Sequence, residues 1–210
     1  MPTITTAIDR LRKALDATIP FASSDDTTPV LNGVHIQVQN ERLQFSSSDR
    51  YAVGTYRLHR GEAAESEDEF TADDAANELK ATIPLKTAKE VLRTAKSFKR
   101  GDALEDMRIE IEEHAAVFTF PDGTSHRAST IDSEFPPLDR LFPSKETLEN
   151  STESSVIFNP GFAAKVNKTA AAISERNEGV QLRITSALKP AVYRLQNDEH
   201  WSALLMPMRG

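Results

Sequence analysis

The sequence predicts an α+β fold assembled from one strand–helix–strand–strand–strand unit used three times. Three observations carry that prediction. Apolar residues recur at helical spacing in three separate segments, each followed by three strand-like runs, and the order returns roughly every 75 to 80 residues. Pro84, Pro160, Gly101 and the Pro121-Asp122-Gly123 turn fall at joints of this pattern. The composition is that of an ordinary globular chain: of 210 residues, 39% are hydrophobic and 27% charged, and none is cysteine. Without cysteine there is no disulfide scaffold, thiol nucleophile or thiolate metal site. No apolar run approaches the roughly 18 residues of a membrane span and the first residues lack a signal-peptide core, so a cytoplasmic location is expected.

The first unit is expected to hold a helix over Ile4–Ala17, where Ala7, Ile8, Leu11, Leu15 and Thr18 share a face, with a weak opening strand at residues 2–5. Strands follow at Val30–Val38, Leu43–Ser47 and Tyr51–Leu58, with Asn40–Glu41 joining the first two. Gly61–Glu78 is acidic and reads as a linker, about residues 59–78. The second unit opens with a strand at Leu79–Ile83. Pro84 starts a helix, where its missing N–H costs nothing, and Gly101 stops it after Phe98. Its strands are Met107–Ile111, Ala115–Phe120 and Thr124–Thr130, with Pro121-Asp122-Gly123 as a hairpin turn. Prolines keep Ile131–Pro143 extended, and Ser144–Ser155 reads as a polar connector. The third unit repeats the order: a strand at Val156–Phe158, Asn159 capping a helix that starts at Pro160 and ends near Ile173, then strands at Val180–Thr185, Ala191–Gln196 and Trp201–Met206. Two bodies are therefore expected, 1–143 with two units and 144–210 with the third.

The net charge of −7 argues superficially against a nucleic-acid partner. Its placement argues the other way. Residues 4–17, 85–100 and 160–176 carry +1, +5 and +2, so the three helices hold +8 and the remainder −15. Lys86, Lys89, Arg93, Lys96 and Arg100 fall within roughly 80° of one another around their helix. Glu90 is the one acid on that helix to offset them. Lys165, Lys168 and Arg176 form a similar stripe, and Arg10 and Lys13 add to the first helix. A solvated helix face accounts for any one of these stripes; their repetition in an acidic chain favours a surface that meets phosphates without reading bases.

Reaction chemistry leaves little trace. The five histidines lack metal-ligand spacing, and the eight glycines fit no phosphate-loop pattern. Glu110, Glu112 and Glu113 are close in sequence, but strand alternation sends neighbours to opposite faces. No cofactor, no metal site and no catalytic residue is assigned. A metal-dependent nuclease built on scattered carboxylates is the remaining enzymatic reading.

Four motifs then point to a family. Leu31-Asn32-Gly33-Val34 precedes Ser47-Ser48-Asp49-Arg50-Tyr51; Ser133-Glu134-Phe135-Pro136-Pro137-Leu138-Asp139-Arg140-Leu141-Phe142-Pro143 follows; then come Phe158-Asn159-Pro160 and the terminal Leu205-Met206-Pro207-Met208-Arg209. In this order they resemble the bacterial β sliding clamps, the DNA polymerase III beta subunit family, and the Met-Pro-Met-Arg ending is the most specific of the set. With this resemblance, the small size raises the expectation of a phage or mobile-element origin, which the sequence itself does not show.

The resemblance implies a DNA-clamp fold, with helices lining a channel and antiparallel sheets outside. It implies a non-catalytic processivity factor that encircles duplex DNA at the nucleoid and tethers DNA polymerase. Polymerase and clamp loader would dock through short motifs at a pocket lined by Leu31, Ser48, Tyr51, Val53, Pro143, Leu204, Met206, Pro207, Met208 and Arg209. Departures are visible: Ser48 and Arg50 stand for the family's threonine and glycine, Tyr51 for its histidine, and Asp25-Asp26 precede Leu31 where relatives are polar or basic. The other class of function is a clamp-fold interaction protein that binds replication partners or a host clamp without encircling DNA. The usual family ring holds twelve units from two six-unit protomers. With three units per chain, the expectation is a homo-oligomeric ring of four copies, the odd units pairing across two-fold axes, with trimer and dimer as alternatives.

Overall fold

The computed structural model describes residues 3–39, 42–59, 79–99, 105–149, 156–176 and 178–208. The first unit begins with β1 (Thr3–Ala7), in which Ile4 and Thr6 are buried between half-buried neighbours. That period of two belongs to a strand. The helix expected from Ile4 therefore starts later, as α1 (Ile8–Thr18). The difference is tertiary: Ile4 lies opposite Ile109 and Thr6 opposite Met107, partners about a hundred residues away that local periodicity cannot see. Next come β2 (Gly33–Gln39), β3 (Arg42–Ser48) and β4 (Ala52–His59). The strand expected from Val30 begins at Gly33 because Pro29–Leu31 form a 3-10 turn, closed by Asn32 N donating to Pro29 O. The Asn40–Glu41 connection and the acidic linker at Gly61–Glu78 lie outside the described residues, as does the helix stop at Gly101.

The second unit runs β5 (Leu79–Pro84), α2 (Leu85–Ser97), β6 (Asp106–Ile111), β7 (Ala115–Thr119) and β8 (Ser125–Ser129). The Pro-Asp-Gly turn closes the β7–β8 hairpin, with Gly123 N donating to Phe120 O. Residues 131–143 are extended apart from a 3-10 turn at Leu138–Leu141. The expected connector contains a short helix, α3 (Lys145–Glu149), because the Ser144 hydroxyl accepts from Thr147 N and Leu148 packs inward.

The third unit supplies α4 (Pro160–Ile173), β9 (Val180–Arg183), β10 (Ala191–Leu195) and β11 (Trp201–Leu205). Asn159 caps α4, its Oδ1 accepting from Gly161 N and Phe162 N. Residues 156–158, expected as a strand, join neither sheet. A strand needs ladder pairing with a sheet edge, and among the described residues the segment makes a single backbone bond to the chain just past β11, Met208 N donating to Ile157 O.

Two antiparallel sheets result, one ordered β1-β6-β7-β8 and one β5-β2-β3-β4-β11-β10-β9. Each of the first two units lends its opening strand to the other's sheet. Units one and three share the longer sheet through β4 and β11, where Val53 lies opposite Leu204 and Tyr56 opposite Trp201. Helix α1 lies between α2 and α4. Its buried Ile8, Leu11 and Leu15 join residues from both sheets in one core. Gly54 on β4 permits this closeness: a Cβ there would lie 2.3 Å from the buried Phe21 ring and 2.9 Å from Ala17 O.

Candidate functional site

The basic side chains divide by their surroundings. Lys86, Lys89 and Arg93 are exposed on α2, and Lys168 and Arg176 are exposed on and just after α4. Arg10, Lys13 and Lys165 are half-buried, and Arg100 lies outside the described residues. Because α1 separates α2 from α4, the exposed cations occupy two flanks of one helical layer. Two cations of the stripes are tied to carboxylates. Lys96 Nζ donates to Asp16 Oδ1 at 2.7 Å, across from α2 to α1. Lys165 is paired with Asp49, joining α4 to the β3–β4 hairpin, and its ammonium also lies 5.6 Å from the Phe162 ring centroid.

That hairpin is built around Asp49, whose Oδ1 accepts from Tyr51 N and Ala52 N at 3.0 and 2.8 Å. Its apex residue, Arg50, has φ 75°, a left-handed conformation that glycine adopts without strain. The glycine that the family resemblance places here thus has a physical reason. Arg50 pairs with Asp25. The Thr27 hydroxyl and backbone N–H, together with Arg50, hold the Asp25 carboxyl below its ordinary value. Asp26 accepts from the Asn32 amide, so both acids before Leu31 are engaged locally. Tyr51 stacks on Phe162 of α4 at 4.9 Å, and its carbonyl accepts from Met206 N.

Of the residues expected to line a pocket, three meet in one apolar cluster. Val53, Leu204 and Val192 sit side by side across β4, β11 and β10, and Leu31, Phe135 and Leu138 bury against them. Phe142 and Leu148 pack on its margin. Ser48 is buried below the hairpin, donating from Oγ to Ala52 O. Pro143 and Pro207 are half-buried, while Tyr51, Met206 and Met208 remain exposed. Arg209 lies outside the described residues. The cluster therefore has a buried floor and a rim with two exposed methionines, side chains that adapt to varied apolar partners. Phe135, Leu138, Phe142 and Val192 were missed as members of this cluster. The first three lie in the proline-rich motif that suggested the family, so a signal for them was present; Val192 had none beyond strand alternation. A separate cavity of about 540 Å³ adjoins Phe135 and Leu138 and is lined largely by polar groups, including Gln44, Lys80 and Glu134.

Two histidines play packing roles: His35 stacks on Phe135 at 4.4 Å and shares a hydrogen bond with Thr82, and His126 bonds Thr94. Among the described residues, no three His, Asp or Glu side chains converge as a metal site, and no helix is long and apolar enough to cross a membrane.

Comparison with known proteins follows this geometry. Residues 5–137 match the family described as DNA polymerase III beta subunit, central domain. A beta sliding clamp of Micrococcus luteus is 25% identical over 165 residues, covering 78% of this chain and 46% of the relative. One from Synechocystis is 28% identical over 143 residues, covering 67% and 34%. The chain thus spans less than half the length of these relatives. Among solved structures, the DNA polymerase III beta subunit of Thermotoga maritima superposes with a TM-score of 0.77 at 16% identity, over all of this chain and 66% of that one. The sliding clamp of Bacillus subtilis gives 0.75 at 19%, over 99% and 64%. The DNA-clamp fold, with helices packed on antiparallel sheets, is the shared architecture.

Proposed function

Because the chain belongs to the DNA polymerase III beta subunit family, through residues 5–137, we propose that it is a sliding clamp: a non-catalytic processivity factor whose copies close a ring around duplex DNA. The helical layer faces the DNA. Lys86, Lys89, Arg93, Lys168 and Arg176 meet phosphates there without reading bases, which permits sliding. DNA polymerase and clamp loader dock at the apolar cluster, where Tyr51, Met206, Pro207 and Met208 grip a short extended peptide. The two-unit body at 1–143 and the third unit at 144–210 both contribute to that grip. Four copies supply twelve units to the ring, at the nucleoid.

The observation that carries this reading is charge placement: α1, α2 and α4, which pack side by side, carry +1, +3 and +2, a sum of +6, against −13 elsewhere. Retention on closed versus linearised plasmid tests it. A ring stays on the circle at moderate salt and runs off after linearisation, and the triple variant Lys86→Ala, Lys89→Ala, Arg93→Ala loses polymerase stimulation several-fold. Equal retention on both DNAs, with stimulation unchanged in the variant, would refute it. The interaction-protein reading draws its support from Lys96 and Lys165, whose charges are already held by Asp16 and Asp49.

A further inference from the structure

The third unit carries both halves of an exchange that the first two complete within one chain. In those two, the opening strand leaves its own sheet and lies along the first strand of the other. Thr6 faces Met107 and Ile4 faces Ile109 where β1 meets β6; Ile83 faces Val34 and Ala81 faces Ile36 where β5 meets β2. The corresponding first strand of the third unit is β9. It ends the seven-stranded sheet, with no outer neighbour among the described residues. The corresponding opening segment is 156–158, which belongs to neither sheet.

That segment is nevertheless set like an opening strand. In the second unit Ile131 N, just past β8, donates to the carbonyl of Thr82, three residues ahead of α2, at 2.8 Å. In the third, Met208 N, just past β11, donates to the carbonyl of Ile157, three residues ahead of α4, also at 2.8 Å. One edge of the segment is closed as in β5, and the other is open.

We propose that two copies of this chain exchange these segments: residues 156–158 of each add as the outermost strand to β9 of the other, about a two-fold axis. The internal repeat predicts the register. Phe158 falls opposite Val180 of the partner subunit, as Ile83 does opposite Val34, and Val156 falls opposite Leu182 of the partner subunit, as Ala81 does opposite Ile36. The apolar surface agrees. Val180 and Leu182 are each 43% exposed, yet they lie opposite Leu195 and Tyr193, which belong to the main core. By contrast, β8 ends the other sheet with exposed Ser125, Arg127 and Ser129, and Arg127 is paired with Glu112, the polar way of blunting an edge. The occupant is a second copy because the unit offers one open edge and one unpaired strand, and a two-fold pairing satisfies both at once. The exchange follows from the internal repeat and holds whether or not the chain encircles DNA.

The chain has no cysteine, so introduced thiols report without background. Copies carrying F158C are mixed with differently tagged copies carrying V180C and oxidised. A disulfide-linked product containing both tags is expected, as is a two-chain product from the double variant F158C/V180C. An intramolecular bridge at monomer mass, or no mixed product, would overturn the exchange. Light scattering gives the second readout. The wild-type chain is expected at twice the monomer mass or more, and Leu182→Asp lowers that mass while leaving the far-ultraviolet circular dichroism unchanged. A wild-type monomer at micromolar concentration, or a mass unmoved by Leu182→Asp, would also overturn it. Cross-linking that succeeds while plasmid retention fails removes the clamp reading alone; the reverse removes the exchange alone.

Discussion

At the scale of single residues, the local conformations are set by short polar contacts. Asp49 organises its hairpin through two backbone N–H groups and then reaches Lys165 on α4, so one carboxylate both shapes a turn and links two units. The surface carboxylates are tuned by the same kind of contact. The Arg127 guanidinium, bonded to both oxygens of Glu112, lowers that carboxyl below its ordinary 4.5, and the carboxylate in turn raises Arg127. Asp25 is lowered by Thr27 and Arg50. A carboxyl whose folded pKa is depressed adds stability above its unfolded pKa, and that contribution fades as pH falls through the folded value. Acidification below about pH 4.5 should therefore weaken the fold through these two groups, modestly, since both are exposed to screening. Carboxyl-detected NMR titration checks it: Arg127→Ala should bring the Glu112 midpoint back up toward its ordinary value, and an unmoved midpoint would contradict the assignment.

At the scale of elements, the decisive contacts are those between units. The β4–β11 pairing places Val53 against Leu204, while α1 closes over β4 only because Gly54 lacks a side chain. Gly54→Ala forces either the buried Phe21 ring or the α1 backbone to shift, at a cost of about 1–3 kcal/mol as for other overpacked sites. Urea unfolding should show a lower midpoint with an unchanged slope. The long elements were legible in the sequence because their periodicity is strong: the α2 and α4 spans fall within a residue or so of the expected ones. The opening strands were not. Ile4 fits a helical count locally and became strand through β6, whereas 156–158 has strand composition but joins neither sheet. Strand formation is a pairing event, so a sequence that proposes a strand does not by itself supply its partner.

At the scale of the whole molecule, what matters is which charges remain available once the chain has folded. The sequence treats Lys89 and Lys96 alike, one stripe on one helix. Packing α1 beside α2 separates them, because Asp16 accepts from Lys96 and leaves Lys89 exposed. On the proposed DNA reading, Lys89→Ala should flatten the dependence of log affinity on log salt by about one, the loss of roughly one phosphate contact, whereas Lys96→Ala should change it far less. Anisotropy of a labelled duplex across a salt series measures both, and equal effects would show that the Asp16 pair does not hold in solution. The candidate pocket divides in the same way. Leu31, Val53 and Leu204 were legible through the family resemblance, and Phe135 and Leu138 lie in one of its motifs, but only packing between segments far apart in the chain placed these two and Val192 in the cluster.

The sequence alone determined the repeated unit, the helical stripes of positive charge and the motifs of the family, because each is encoded in spacing along a few dozen residues. Only the tertiary structure decided which unit's sheet receives each opening strand, which cations keep their charge free and which apolar residues share a floor. Those outcomes depend on edges and faces brought together from distant segments. In the third unit the repeat leaves β9 and residues 156–158 without the pairing that β2 and β5 make with each other, which is the basis of the proposed exchange with a second copy.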